Sequence, residues 1–275
     1  MDGALRYSIL DPSGNITALV ESPCAVPDQP AVAARIMGAH PEVEQVGFVR
    51  LDGAEGGVHA ELRMAGGEFC GNASMSAAAL YAIRTGCAAE EQTVVLRVSG
   101  ADEPVEVKLA PSADGGFDGE VRMPRALEIE SVELSCGGLA GVLPVIRFSG
   151  ISHAVVCEDS PFFTLLADRA AAERAVRAWC DELQADGLGL MFVQDTASET
   201  ILTPLVYIPG SGTVFWEGSC ASGSSAAALL LSSWRGAPMD VVFHEPAGTL
   251  RVSSDAATGG IRLFGHVALL DSLLA

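Results

Sequence analysis

Residues 70–80 read CGNASMSAAAL and residues 220–230 read CASGSSAAALL, and these two similar stretches decide how the chain is organised. When they are aligned on their cysteines, a serine, two alanines and a leucine further along also coincide. In each stretch, a turn of small polar residues leads into a run of alanine, the residue that most favours helices. We therefore predict that Cys70 and Cys220 each lie at or just before the start of a helix.

The similarity extends outward from the two cysteines in chain order. Residues 14–18 (GNITA) match residues 150–154 (GISHA), and residues 119–123 (GEVRM) match residues 259–263 (GGIRL). Because the matched segments keep their order, we interpret the chain as two copies of one unit of about 130 residues. Two such copies are expected to face each other across a pseudo-twofold axis.

The duplication predicts the fold class and the domain boundaries. We expect an α+β fold with two pseudo-symmetric domains, residues 1–127 carrying Cys70 and residues 128–266 carrying Cys220. The boundary region lies around residues 127–141. Residues 267–275 are expected to return to the first domain.

Short strands and a few helices fill the rest of both halves. Apolar residues at helical spacing predict helices at residues 31–39 and 166–183. Alternating or short apolar runs bounded by turn residues predict strands at residues 6–10, 15–20, 43–50, 59–64, 94–98, 104–109, 119–123, 145–148, 154–157, 191–193, 202–208 and 214–216.

The composition argues against several kinds of partner. The 275 residues include 16 Lys and Arg against 35 Asp and Glu, a formal charge of −19. Such a surface repels a phosphate backbone, so we expect no nucleic-acid or anionic membrane partner. The first ten residues lack a signal-peptide pattern, and no apolar run approaches the ~20 residues that span a bilayer. We expect a soluble, cytoplasmic protein.

The sequence also points to chemistry without a cofactor. A pyridoxal phosphate enzyme needs a lysine for its Schiff base, and the single lysine, Lys108, lies in an alternating run typical of a half-exposed strand. The seven cysteines are irregularly spaced, with no C-x-x-C pair. This favours free thiols over a structural zinc site or disulfides. We therefore expect no cofactor and no metal.

A cysteine at a helix start has specific chemical possibilities. The unpaired N–H groups and the helix dipole there can lower a thiol pKa from ~8.5 into the range of roughly 3.5–7.5. The same N–H groups can hold a small carboxylate. If both helix starts point at one cleft, one thiolate can remove the α-proton of an amino acid while the opposite thiol returns one. The duplicated cysteines therefore predict a two-base racemase.

The residues around both cysteines resemble a known family. Residues 68–76 (EFCGNASMS) and 216–220 (WEGSC) are similar to the two catalytic signatures of the diaminopimelate epimerase fold family. Within it, they most resemble the cofactor-independent histidine racemases of staphylopine-type metallophore biosynthesis. The resemblance covers nearly the whole chain, with further matching segments at residues 11–15 (DPSGN), 44–48 (EQVGF), 206–209 (VYIP) and 244–248 (HEPAG).

The resemblance implies a fold and a set of site residues. Each domain is expected to be a β-barrel-like sheet around a central helix, with Cys70 and Cys220 as the base pair. The turns Gly71–Asn72 and Ala221–Ser222–Gly223 would hold the substrate carboxylate. By matched position, the other candidate substrate contacts are Asn15, Gln45, Asn72, His153 and Glu217. We also expect a homodimer.

One departure from the family pattern bears on the substrate. Diaminopimelate epimerases carry an arginine after the glutamate that matches Glu217, and Gly218 stands there in this chain. Histidine is therefore the expected substrate, with Glu217 accepting a hydrogen bond from the imidazole and with Phe69 and Trp216 as flat walls. The alternatives are a diaminopimelate or proline type of epimerase, a phenazine-biosynthesis-type isomerase, and a non-enzymatic carboxylate-binding protein whose two cysteines form a resting disulfide.

Overall fold

Residues 5–52, 56–196 and 198–274 are described by the structure, a computed structural model, and they form two units. The first unit runs to Arg122 and also includes the residues from Phe264 onward. The second unit runs from Met123 to Leu263. Of the two expected domains, residues 1–4, 53–55, 197 and 275 lie outside the described residues.

The elements follow one another as short strands interrupted by four α-helices among the described residues. In chain order they are β1 (Arg6–Pro12), β2 (Thr17–Val20), α1 (Gln29–Ala39), β3 (Gln45–Arg50), β4 (Ala60–Met64), α2 (Gly71–Thr85), β5 (Gln92–Val98), β6 (Val105–Pro111), β7 (Phe117–Arg122), β8 (Glu128–Cys136), β9 (Leu139–Phe148), β10 (Ile151–Cys157), α3 (Arg169–Glu182), β11 (Leu188–Asp195), β12 (Thr200–Ile208), β13 (Thr213–Trp216), α4 (Ala221–Arg235), β14 (Met239–His244), β15 (Thr249–Asp255) and β16 (Gly260–Leu274). Short 3₁₀ turns at Val26–Asp28 and Pro161–Ala167 precede α1 and α3.

The sheet of the first unit closes on itself around α2. Its strands follow the order β1 to β7 and then β16, and β16 pairs back with β1 in antiparallel register from Arg6 opposite Leu274 to Pro12 opposite Val267. The alanine and serine side chains of α2 are buried almost throughout, so strands can pack closely around it. The helix ends at Gly86, whose φ of 77° is the left-handed conformation that suits glycine.

A second apolar layer covers the outside of this sheet. Val32 and Ile36 of α1 are buried in a cluster with Val46 and Phe48 of β3. Successive side chains of a strand point to opposite faces, so alternate residues of β3 pack either on α1 or on the inside of the sheet. The layer holds β3 in place, and β3 begins at Gln45, one of the predicted site residues.

The second unit repeats the plan around α4. Its strands follow the order β16, β15, β14, β12, β11, β10, β9 and β8, with β13 paired to β12. The first two turns of α4 also consist of alanine, serine and glycine, and most of the helix is buried, as in α2. It ends at Gly236, whose φ is 63°. The amphipathic α3 packs on β11 and β12. There the buried Trp179 donates from Nε1 to the Ser135 carbonyl at 2.9 Å.

Most predicted elements are present, with two informative differences. The helix predicted over residues 166–183 begins only at Arg169, because Asp168 caps it by accepting the N–H of Ala171 at 3.0 Å. Residues 127–141, where the sequence places the boundary region, include all of β8 and the start of β9. β8 is the last strand in the order and is exposed at most positions. Val132, Leu134 and Cys136 nevertheless alternate along β8 and pack on the core of the second unit, so the expectation of a boundary region here is what excluded a strand.

None of the helices in the described segments has both the length and the apolar character to cross a membrane.

Candidate active site

Cys70 and Cys220 occupy equivalent positions at the starts of the two central helices. Each is the residue before the first helical turn, with φ and ψ of −135° and 115° at Cys70 and of −133° and 101° at Cys220. This confirms the predicted placement at two helix starts. The Sγ of Cys70 accepts the backbone N–H of Ala73 at 3.3 Å, so the sulfur itself caps α2.

The thiol of Cys70 has a side-chain partner on the neighbouring strand. Its Sγ donates to Oε1 of Gln45 at 2.8 Å. Gly71 and Asn72 form the first turn of α2 and are buried, so their backbone N–H groups lie at the helix end that attracts anions. The structure thus brings Gln45, Gly71 and Asn72 together around Cys70.

Asn15 belongs to the same unit and contacts the residue before Gln45. Its side chain is fully buried, and Nδ2 donates to Oε2 of Glu44 at 2.7 Å. Its Oδ1 has no hydrogen-bond partner among the described residues. A buried amide oxygen without a partner is costly. Asn15 therefore has acceptor capacity available for a donor group of a ligand.

On the second unit, Cys220 stands at one end of a hydrogen-bonded chain. Its Sγ lies 3.8 Å from the Ser222 hydroxyl, and that oxygen lies 2.9 Å from Nε2 of His153. His153 is fully buried on β10, and burial lowers its pKa to about 3. Its Nδ1 has no partner within the described residues.

The surroundings of His153 favour one arrangement of donors and acceptors in the hydrogen bonds that connect His153, Ser222 and Cys220. A buried N–H without an acceptor is the rarer and costlier defect, so the proton of the neutral imidazole belongs on Nε2. Nε2–H then donates to Ser222, and the Ser222 hydroxyl donates to the sulfur. His153 therefore contributes a hydrogen bond rather than a positive charge.

We expect His153 to make the protein less stable in acid. The folded state resists protonating His153, whereas the unfolded imidazole takes up a proton near 6.5. The unfolded state thus binds more protons as pH falls from 6.5 toward 3, and the free energy of unfolding decreases over that interval. Denaturant unfolding of the wild type and His153→Gln at pH 7.5, 5.5 and 4.5 tests this. A stability difference between the two that is the same at all three pH values would contradict it.

Burial and two acidic side chains disfavour the thiolate form of Cys220. Burial, and then the Glu217 and Glu245 carboxylates, raise the pKa of the Cys220 thiol well above its ordinary value, while the N–H of Gly223 opposes them. The thiol also donates a hydrogen bond to Glu217. The expectation that a helix start lowers the thiol pKa is therefore wrong for Cys220, because burial and two nearby anions outweigh the helix dipole.

The first turn of α4 is also packed without spare room. A Cβ on Gly223 would lie 2.1 Å from Sδ of Met191 and 3.2 Å from Sγ of Cys220. Ala221 and Ser222 are buried beside it. Glycine is therefore required at this position by the close approach of two sulfur-containing side chains.

Trp216, one of the two expected flat walls, contacts other side chains of the second unit. Its ring stacks on Phe192 with centroids 5.9 Å apart, and the guanidinium of Arg169 lies 4.7 Å from its centroid. Its Nε1 donates to Glu173 at 3.1 Å. These contacts fix the position of the indole, and its role as a substrate wall stays a prediction. Phe69 is buried in the first unit.

The remaining cysteines and the single lysine lie in ordinary surroundings. All seven cysteines are free thiols. Burial and nearby acidic groups raise the pKa of Cys157 and of Cys180 to about 11, which leaves both thiols protonated. Lys108 is half-exposed on β6, with Nζ 3.6 Å from Glu120. The prediction of a half-exposed strand residue is confirmed.

Sequence reasoning missed the roles of Glu44 and Glu245. Both lie in segments that had been recognised as similar to the family, at residues 44–48 and 244–248. Glu44 accepts from Asn15, and Glu245 accepts from the backbone N–H of Cys220 at 2.6 Å. The only available signal was a carboxylate inside a matched segment, since neither contact follows from spacing along the chain.

Comparison with known proteins places these features among related sequences. A family model described as the histidine racemase CntK N-terminal domain matches residues 4–269. A histidine racemase of Staphylococcus aureus strain Mu50 is 28% identical over 252 residues, covering 91% of this chain and 88% of that protein. A histidine racemase of Fusobacterium nucleatum subsp. nucleatum is 29% identical over 247 residues, covering 86% and 85%.

Solved structures show the same fold at low sequence identity. A probable proline racemase from Agrobacterium radiobacter K84, with bound carbonate, has a TM-score of 0.71 at 12% identity and covers 98% of this chain and 92% of that one. A predicted epimerase of Pseudomonas aeruginosa has a TM-score of 0.67 at 18% identity and covers 98% and 99%. A PhzF-family phenazine biosynthesis protein of Bacillus anthracis has a TM-score of 0.59 at 10% identity and covers 99% and 98%. The predicted α+β fold with barrel-like sheets is thereby confirmed.

Proposed function

The chain belongs to the histidine racemase CntK family, and from this premise we propose that it interconverts L- and D-histidine with two thiols and no cofactor. The observation that carries the two-thiol part is the equivalent placement of Cys70 and Cys220 at the starts of two buried helices. A thiol in this position is close to backbone N–H groups, which are suited to an amino-acid carboxylate.

The reaction we propose is a proton removal followed by a proton return. A thiolate takes the proton from Cα and becomes a thiol, leaving a carbanion whose charge spreads into the carboxylate. The other thiol then donates its proton to the opposite face of Cα and becomes a thiolate. No atom or electron is gained or lost overall, and the two sulfurs exchange roles for the reverse direction.

The two cysteines are suited to opposite starting states. The Sγ of Cys70 accepts the N–H of Ala73, a contact that stabilises a thiolate, and the hydrogen bond that the thiol donates to Gln45 is given up when the proton leaves. Burial and the two acidic neighbours raise the pKa of Cys220, which favours its thiol form. We assign Cys70 as the base and Cys220 as the acid of the resting enzyme.

The other predicted site residues divide between substrate and sulfur. We assign the N–H groups of the two helix-start turns to the carboxylate, and Asn15 and Asn72 to the remaining substrate groups. Glu217 serves both, because it accepts from the Cys220 thiol and is also assigned to the substrate imidazole. Gln45 and His153 instead act on the sulfurs, because Gln45 accepts from Cys70 and His153 is connected to Cys220 through Ser222. Ala221, Ser222 and Gly223 shape the second turn.

We also propose a cytoplasmic homodimer. A reducing compartment keeps the seven free thiols, including both catalytic ones, in the active state. The second unit exposes Leu127, Ile129 and Val142 by 70%, 42% and 55%. They lie on or beside β8 and β9, at the end of the strand order, and an apolar surface at a sheet edge is a frequent site of association.

A panel of L-amino acids in heavy water tests the function. With chelator present and pyridoxal phosphate absent, we expect histidine to racemise and to gain one deuterium at Cα. Diaminopimelate and lysine should react about 100-fold more slowly, because Gly218 cannot grip a second charged centre. Proline should be similarly slow, because its side chain carries no N–H to donate to Glu217. Chiral chromatography and mass spectrometry supply the readout. Equal or faster turnover of diaminopimelate would contradict the substrate, and absence of deuterium in every amino acid would contradict racemisation.

Glu217→Gln provides a sharper check of the pocket within the same assay. It should lower histidine turnover about tenfold, since a neutral amide is a weaker acceptor for an imidazole N–H than a carboxylate. Glu133→Gln, which removes the same charge from an exposed position on β8, is the matched control and should leave turnover unchanged.

A further inference from the structure

We propose that Glu245 is a positioning residue that anchors the start of α4 and keeps Cys220 in its acid form. Its catalytic meaning rests on the proposed two-thiol racemisation. The residue lies outside the set that the sequence predicted, in the loop after β14. It acts through Cys220 rather than on the substrate.

The contacts of Glu245 tie together both sides of the helix start. Oε2 accepts the backbone N–H of Cys220 at 2.6 Å, and Oε1 accepts the hydroxyl of Ser224 at 2.6 Å. Two residues further along the same loop, the N–H of Ala247 donates to the carbonyl of Gly218 at 2.9 Å. Glu245 is 9% exposed, so water screens the charge of its carboxylate little. The loop therefore fixes the chain before and after the sulfur.

The first unit supplies an internal comparison at its own helix start. The equivalent serine, Ser74, donates to the Cys70 carbonyl at 2.7 Å. The hairpin that follows α2 brings Ser99, whose hydroxyl donates to the Glu68 carbonyl at 2.8 Å. The residue directly after the strand that follows the central helix is thus Ser99 in the first unit and Glu245 in the second.

The charge of Glu245 has a chemical consequence at the sulfur. The ionisable groups facing Cys220 are Glu217 from the preceding loop, Glu245 from the loop after β14 and, through Ser222, His153 from β10. Burial keeps His153 neutral, so both charges near the sulfur are negative. Negative neighbours disfavour a thiolate, and Cys220 is accordingly the proton donor of the resting pair.

Glu245→Gln removes the negative charge of residue 245 while keeping its hydrogen bonds to the start of α4. The amide oxygen can still accept from the Cys220 N–H, and the amide nitrogen can donate to Ser224, whose hydroxyl then accepts. Turnover needs one thiol and one thiolate, so the alkaline limb of the kcat/KM profile marks loss of the last thiol. We expect this limb to move about one pH unit lower in Glu245→Gln, with KM for histidine within about twofold.

Alkylation by iodoacetamide gives a readout that needs no substrate. Cys70 and Cys220 are 7% and 5% exposed, so reagent access is similar. At pH 7.5, Glu245→Gln should react about tenfold faster at Cys220 and at the wild-type rate at Cys70, as peptide mass spectrometry can resolve. Glu133→Gln is the matched control and should change neither rate.

The outcomes separate this inference from the proposed function. An unchanged alkylation rate at Cys220 together with an unmoved alkaline limb would overturn the role of Glu245. A wild type that does not racemise histidine would contradict the proposed function, and alkylation would still decide this inference. If Glu245→Gln fails to fold, Ser224→Ala replaces it. That variant removes one hydrogen bond from the carboxylate and should slow alkylation of Cys220, and an unchanged rate would overturn the proposal.

Discussion

Replacing either Cys70 or Cys220 with alanine is expected to abolish net racemisation of histidine, with kcat reduced about 10⁴-fold. Inversion requires a proton to leave one face of Cα and another to arrive on the opposite face, so neither sulfur can compensate for the other. The fold should survive, because the change removes one atom and, at Cys70, one capping contact worth about 1 kcal/mol. Chiral assay of both variants measures the loss.

The single variants should still exchange protons on one face. The cysteine that remains can remove and return the α-proton of one enantiomer, which gives deuterium incorporation without inversion in heavy water. Cys180→Ala is the matched control, since Cys180 is as buried as the two sulfurs and lies within α3 rather than at a helix start. Near-normal racemisation by Cys70→Ala or Cys220→Ala would show that two-base catalysis is wrong.

Gly223→Ala should cost about 1–3 kcal/mol of stability and lower kcat about 100-fold. The added Cβ would overlap Sδ of Met191 and lie 3.2 Å from Sγ of Cys220, so either Met191 or the start of α4 must move. Met191 is fully buried and has little freedom to yield, so a shifted start of α4, which carries the Cys220 sulfur with it, is the expected result. Thermal unfolding and steady-state kinetics measure the two effects separately.

A second substitution shows whether the crowding is the cause. Met191→Ala removes the atom that the new Cβ meets, so the double variant should recover part of the lost activity and be more stable than the sum of the single changes predicts. Gly38→Ala is the control, because a Cβ there meets nothing within 4 Å and alanine suits the interior of α1. Wild-type kinetics in Gly223→Ala would contradict the geometric argument.

The sequence predicts this fold well where local chemistry determines structure. Small polar residues before an alanine run are sufficient to place both helix starts, and the duplicated pattern indicates that they are equivalent. The strand β8 is absent from the predicted strands because its segment is interpreted as the boundary region, although Val132, Leu134 and Cys136 alternate along it and pack on the core. The strands β14, β15 and β16 are absent from the prediction too, although they lie inside the strand order. Local patterns therefore identify the central helices better than the individual strands.

The candidate site is less predictable than the fold, because its properties depend on distant contacts. Glu245 lies 25 positions from Cys220 in sequence, and only the folded chain brings its carboxylate to that N–H. The raised pKa of Cys220 follows from burial and from two carboxylates, which together outweigh the local effect of the helix end. Trp216 stacks on Phe192 and lies beside the Arg169 guanidinium, and these contacts follow from tertiary packing, which its position in the sequence does not indicate.

The pairing of β1 with β16 has a consequence for how the protein is made. Arg6–Pro12 is synthesised well before residues 267–274, yet one of the two strands that pair with it in the closed sheet is formed by those later residues. Contacts between residues so far apart in sequence form slowly, since a long loop must close before they contribute. During synthesis, one edge of the strand Arg6–Pro12 therefore stays unpaired until the later residues are made. An unpaired strand edge is prone to association with other chains.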